Sequence, residues 1–247
     1  INKLSNTPIN ITSIIYTGGI TGKFILSSNN TATPILTSDD GINWNSGVTT
    51  NLPSLDSITY GKGLFVTVGT NPGQAAYSID GSNWSISSMP SMSYNFWKCV
   101  KYGKGRFVAI ATVERKGAYS DDGINWITTN IPLYNANLIS YGRGRFVMFE
   151  ATTSNSIAYS DDGINWTQTT LPFSGRWYSC IYKEGRFFAF DREANYVMYS
   201  NDGINWTRNL TATGGSNYLI STAAYGNGKF IAFSRNSKFI SMTTTKS

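Results

Sequence analysis

Short apolar runs recur along this chain, and each is cut off by a glycine turn rather than continued at a helical period. Tyr141-Gly142-Arg143-Gly144 leads directly into Arg145-Phe146-Val147-Met148. This reads as a tight hairpin turn between two strands, because glycine reaches positive φ without steric cost. Related copies begin at Tyr60, Tyr102, Tyr182 and Tyr225, and Tyr16 opens a looser one that reaches Phe24. A second motif alternates with the first. Ser-Asp-Asp-Gly-Ile-Asn-Trp stands at 38–44, 120–126 and 160–166, with close variants at 78–84 and 200–206. Its Asp-Gly pair predicts another hairpin, in which the aspartate caps the turn amides and the glycine takes the left-handed position. Each unit therefore reads as four strands, spanning about 177–182, 186–191, 196–200 and 204–209 in the fifth copy.

The tryptophans Trp44, Trp84, Trp126, Trp166 and Trp206 follow one another at intervals of 40, 42, 40 and 40 residues. Four strands repeated at that period are the signature of a propeller blade. Six tyrosine motifs stand against five Asp-Gly motifs. The sixth copy has strands near 220–225, 229–234 and 238–243, and then the chain ends. Ile1-Asn2-Lys3 resembles the Ile-Asn-Trp that opens the other fourth strands, so the N-terminus is expected to complete the last blade and leave no edge unpaired. The expected fold is all-β: one six-bladed propeller of four-stranded antiparallel blades over residues 1–247, closed by the N-terminal strand.

On these motifs the whole chain resembles the Asp-box (BNR-like) propellers, a superfamily that includes sialidases and many secreted or phage-borne binding proteins. The usual box, Ser-x-Asp-x-Gly-x-Thr-Trp, is one residue longer than the copies here. The resemblance implies an extracellular or virion-associated recognition protein, such as part of a phage tail, within a larger multidomain or oligomeric assembly.

Composition narrows the chemistry. The chain has no histidine, which removes Ser-His-Asp, Cys-His and zinc sites of the usual kind. Its two cysteines, Cys99 and Cys180, fall in different repeats and read as free core thiols. The Asp-Asp-Gly turns lack the spacing of a calcium loop, so neither metal nor cofactor is expected. No apolar run approaches a membrane span, and no signal-peptide pattern is visible.

The net charge is +6. Nine basic and nine acidic residues belong to the repeat turns and cancel, so the whole excess lies elsewhere. An anionic ligand is therefore favoured. Without a basic run or stripe, nucleic acid is not expected.

In each blade the repeat turns share one end, and the variable loops and links share the other, which is the usual place for function on a rigid scaffold. The Asp-Gly-motif tryptophans recur in every complete copy and read as core or inter-blade packing. Trp97 and Trp177 differ, because only two copies carry them, at the opening of the innermost strand and beside Lys98, Arg176 and Tyr178. They read either as platforms for a sugar ring or as inter-blade packing. Tyr94, Tyr134, Asn137 and Tyr218 come from the links. Glu114, Arg115, Glu150, Asp191, Arg192 and Glu193 come from the second-to-third-strand loops.

Glu114, Glu150, Asp191 and Glu193 are the carboxylates a glycosidase would draw upon. However, the first arginine is Arg106 and there is no Arg-Ile-Pro, so the sialidase pattern is not met. The expected function is non-enzymatic binding of carbohydrate, an anionic bacterial glycan in particular. A protein–protein scaffold is the alternative.

Overall fold

The computed structural model describes residues 11–18, 22–28, 34–46, 52, 54–69, 74–92, 96–192 and 197–209, together with strands 220–226, 229–234 and 239–243. The chain divides into two compact units, Ile1–Asn130 and Ile131–Ser247.

Three four-stranded sheets form in the first unit. They are β1 (Ile11–Tyr16), β2 (Phe24–Ser28), β3 (Ile35–Ser38) and β4 (Asn45–Ser46); β5 (Leu55–Gly61), β6 (Leu64–Gly69), β7 (Gln74–Ser78) and β8 (Ser85–Ser88); and β9 (Trp97–Gly103), β10 (Arg106–Ala111), β11 (Lys116–Ser120) and β12 (Ile127–Asn130). The second unit holds two more. They are β13 (Ala136–Gly142), β14 (Arg145–Glu150), β15 (Ser154–Ser160) and β16 (Thr167–Gly175); and β17 (Trp177–Lys183), β18 (Arg186–Asp191), β19 (Val197–Ser200) and β20 (Thr207–Asn209). A three-stranded sheet follows: β21 (Ile220–Gly226), β22 (Lys229–Ser234) and β23 (Phe239–Thr243). Every sheet is an antiparallel meander in chain order.

The expectation of six four-stranded blades is thus corrected: among the described residues there are five, and the sixth copy forms three strands. The sixth copy has no Asp-Gly turn from which a fourth strand could fold back. Ile1-Asn2-Lys3, to which that strand was assigned, lies outside the described residues.

The turn chemistry explains the meander. Gly142 pairs with Arg145, leaving Arg143 and Gly144 as a two-residue loop at φ 50° and 79°. Lys62-Gly63, Lys104-Gly105 and Glu184-Gly185 repeat it with both residues at positive φ, the signature of a type I′ hairpin.

In the Asp-Gly turns one aspartate does most of the work. Asp122 Oδ1 accepts the amides of Ile124 and Asn125 at 2.8 Å, while Oδ2 accepts Asn125 Nδ2 at 2.7 Å. Ser120 Oγ accepts the Gly123 amide at 2.8 Å. The same bonds recur around Asp40, Asp80, Asp162 and Asp202. Held by the Asn43 and Ile42 amides, the Asp40 carboxyl lies well below the usual carboxylate range. Burial pushes Asp122 up, but the Asn125 and Ile124 donors together outweigh it.

The second strand of a blade lies within its sheet, and in β10 Phe107-Val108-Ala109-Ile110-Ala111 is wholly buried. The fourth strands, such as Ile127–Asn130, are largely exposed. Neighbouring blades interlock at the turns. Lys62 Nζ donates to the Asp121 carbonyl at 2.8 Å, and Arg145 Nη1 to the Asp202 carbonyl at 2.8 Å. The Tyr182 ring lies directly over the Cα of Gly142, where any Cβ would stand 1.9 Å from the ring.

Candidate functional site

At the end of each sheet away from these turns, the first strand carries an irregularity at the same place. Its register against the second strand slips between Ile11 and Ser13, Leu55 and Ser57, Ala136 and Leu138, Trp177 and Ser179, and Ile220 and Thr222; Trp97 and Cys99 flank the same slip on β9. The residues left unpaired by these bulges are Thr12, Asp56, Lys98, Asn137, Tyr178 and Ser221. Each stands four residues before a repeat tyrosine. A bulge re-aims the side chain it carries, and at the five positions whose side chains are described one backbone device carries a hydroxyl, a carboxylate, an ammonium, an amide and a phenol. Lys98, Asn137 and Tyr178 were expected from sequence. Thr12 and Asp56 were missed, although aligning the copies on their tyrosines exposes both.

In the first unit the bulge residues engage one another. Lys98 Nζ is paired with Asp56 Oδ1 of the preceding blade; the lysine side chain is 43% exposed and the aspartate 9%. Asp56 is the lone acid on any of the six first strands, and its Oδ2 is buried with no hydrogen-bond partner among the described residues. Thr12 Oγ1 donates to the Leu55 carbonyl at 2.8 Å. Glu114 and Arg115, in the β10–β11 loop, both adopt positive φ, at 75° and 50°. Glu114 is half-buried with an unpartnered Oε1 among the described residues, whereas Arg115 is exposed.

Five of the expected residues, Arg176, Trp177, Tyr178, Asp191 and Arg192, lie on the second unit's second blade. Asp191, 2% exposed, accepts the Arg176 amide through Oδ1 at 2.8 Å. In return the Arg192 amide donates to the Arg176 carbonyl at 2.8 Å. This clamp sets Arg176 and Arg192 on adjacent strand ends. The Arg192 guanidinium lies 4.8 Å from the Tyr178 ring centroid, and its Nη1 donates to the Tyr178 hydroxyl at 3.0 Å. Asn137 is half-buried with an unpartnered Oδ1 among the described residues, Glu150 is half-buried opposite Ala136, and Tyr134 is 52% exposed. Tyr94, Glu193 and Tyr218 lie outside the described residues.

Trp97 and Trp177 are 0% and 2% exposed. Trp177 packs against Phe149 of the preceding blade, with ring centroids 6.2 Å apart, and Trp97 sits in a core with Val68, Met89 and Phe107. Neither ring offers a face on which a sugar could stack. Cys180 is buried and Cys99 half-buried, and both are free thiols. Among the described residues no cluster of Cys, Asp or Glu side chains could hold a metal ion, and no helix is long and apolar enough to cross a membrane.

No family model and no curated protein matches the sequence. Solved structures do resemble it. A catalytically inactive histidine-to-alanine variant of virginiamycin B lyase from Staphylococcus aureus with quinupristin superposes at TM-score 0.78 and 10% identity, over 97% of this chain and 86% of that one. YCF48 bound to D1 peptide superposes at 0.72 and 14%, over 94% and 77%. A chain of a nidogen/laminin complex superposes at 0.59 and 12%, over 76% and 74%. Likeness at such identities shows the fold alone: the chain is a β-propeller with five four-stranded antiparallel blades.

Proposed function

We propose that this propeller is a non-enzymatic recognition module whose partner is a protein or peptide, bound at the bulged strand ends. The observation that carries the reading is the contrast within each blade. One end repeats the same two turns, while the other presents a different side chain on the same bulge: Thr12, Asp56, Lys98, Asn137 and Tyr178. Invariant scaffold with variable presentation is how binding surfaces are built on repeat folds.

Two neighbours support a polypeptide partner, since one is solved with a peptide and another in a protein complex. The burial of Trp97 and Trp177 withdraws the aromatic platforms on which the carbohydrate reading rested. The lyase neighbour is inactive once a histidine is replaced, and this chain contains no histidine, so that chemistry does not come across with the fold. Kinship with Asp-box propellers belongs to the same proposal and is supported by the Ser-to-Gly and Asp-to-amide bonds repeated in five turns.

The test is a random peptide display selection run beside a glycan array, with a variant carrying serine at 56, 98, 137 and 178. Selected peptides that bind the natural chain and lose the variant, with its melting temperature retained, support the reading. Binding of glycans alone, or peptides indifferent to the four substitutions, would sink it.

A further inference from the structure

We propose that the second blade of the second unit binds a carboxylate of an acidic peptide, received by Arg192 on its Tyr178 stack. This rests on the peptide reading above and names the partner's chemistry.

The protein shows on its own turns what a tyrosine-stacked arginine does here. Arg106 lies 4.9 Å from the Tyr119 ring centroid and grips Asp121 with two donors, Nε at 2.8 Å and Nη2 at 3.4 Å. Arg145 lies 5.0 Å from the Tyr159 centroid and grips Asp161 the same way, at 2.7 and 3.1 Å. In both, the ring orients the planar fork and a carboxylate fills it, the bidentate match that favours arginine over lysine.

Arg192 repeats the first half of this arrangement at the opposite end of a blade. Its guanidinium lies as close to a tyrosine ring as the other two and is further fixed by the Tyr178 hydroxyl. The second half is missing: among the described residues, no carboxylate pairs with Arg192. Two acids flank Arg192 in sequence: Asp191 is buried and holds the Arg176 amide, and Glu193 lies outside the described residues. That buried carboxylate serves as a positioning group, since through the reciprocal 176–192 backbone bond it fixes where both arginines leave the strands.

Charge points the same way. Of the acids, Asp40, Asp80, Asp122, Asp162 and Asp202 are engaged with turn amides, Asp121 and Asp161 with arginines, and Asp56 with Lys98. On a chain of net charge +6 the acids outside these pairings and Asp191 are Asp39, Glu114, Glu150, Glu184 and Glu193, and among the described residues none of them forms a salt bridge with Arg192.

The probes are a fluorescent oligoglutamate peptide, its oligoglutamine counterpart and an oligouronate sugar, each titrated against the full chain by anisotropy. Oligoglutamate should bind, and added salt should weaken it. Arg192→Gln should lower its affinity about tenfold or more, the loss of one charge-assisted bidentate contact. Arg192→Lys should restore only part, because a lysine keeps the charge but not the fork. Arg186→Gln is the control: Arg186 is stacked on Tyr199 of the same blade at the turn end, and removing its charge should leave binding within about twofold. The inference is overturned if oligoglutamine or the uronate binds as tightly, if Arg192→Gln changes nothing, or if Arg186→Gln weakens binding equally. A display selection that yields tight neutral peptides indifferent to Arg192 refutes this inference and leaves the peptide reading standing. A selection that yields no peptide refutes both.

Discussion

Replacing Gly142 by alanine isolates the packing that joins one blade to the next. A Cβ built on Gly142 falls 1.9 Å from Tyr182 Cγ, 2.1 Å from Cδ2 and 2.5 Å from Cδ1. These atoms are the root of a rigid ring, so no rotation of a flexible tip relieves the overlap. Restoring ordinary contact at 3.4 Å requires the ring or the strand to move by about 1.5 Å. The ring cannot retreat freely, because it meets Phe187 in a tilted contact at 4.8 Å between centroids and packs on a core that includes Phe149 and Trp206. Overpacking of this kind costs about 1–3 kcal/mol, and the depth of overlap places this case near the upper figure. For a chain of this length that is a fall of roughly 6–12 °C in melting temperature.

The decisive comparison repeats the substitution in a Tyr182→Ala background. With the ring gone the clash vanishes, and Gly142→Ala should become neutral or stabilise by about 0.4–1 kcal/mol through the unfolded chain. Urea unfolding followed by tryptophan fluorescence on the four proteins yields a coupling energy of about 2 kcal/mol or more. Additivity within about 0.5 kcal/mol would show that Tyr182 does not rest on Gly142 and that the blade-to-blade seam is wrongly described.

Two further outcomes follow. Because the Asp40, Asp80, Asp122, Asp162 and Asp202 carboxyls are lowered in the folded chain, the stability they contribute is present above the unfolded carboxylate value of about 4 and lost as pH falls toward their folded values. The urea midpoint should therefore decline progressively from about pH 5 to about pH 2, and a flat profile would show that these turns do not couple to folding. Trp177→Ala should cost about 3–5 kcal/mol, as a buried ring against Phe149 requires; a loss under about 1 kcal/mol would return Trp177 to the surface role.

Much of this molecule was written locally. In the fifth copy the first three strands lie within a residue of where the Tyr-Gly-x-Gly and Asp-Gly turns place them, because type I′ geometry and aspartate capping depend on a few consecutive residues; the fourth starts three residues later than expected, at Thr207. Cys99 and Cys180, read as free core thiols, are free, Cys180 buried and Cys99 half-buried. Three things were not legible. The second glycine role at Gly142, as a bed for Tyr182, involves a ring 40 residues away. The choice between ligand and packing at Trp97 and Trp177 turned on what the preceding blade places against them. The pairing of Asp56 with Lys98 joins two strands 42 residues apart.

The sequence by itself determined the repeat, the all-β class and the end of each blade on which variation collects, since all three follow from local turn chemistry and period. Tertiary structure alone decided how many blades are complete, which aromatic rings are interior, and which charges remain available. Those depend on contacts between copies, where an identical local motif meets a different neighbour. The Arg–Tyr stack shows this most plainly: beside Asp121 or Asp161 it is a closed ion pair, and at Arg192 the same two side chains stand with no carboxylate among the described residues to close them.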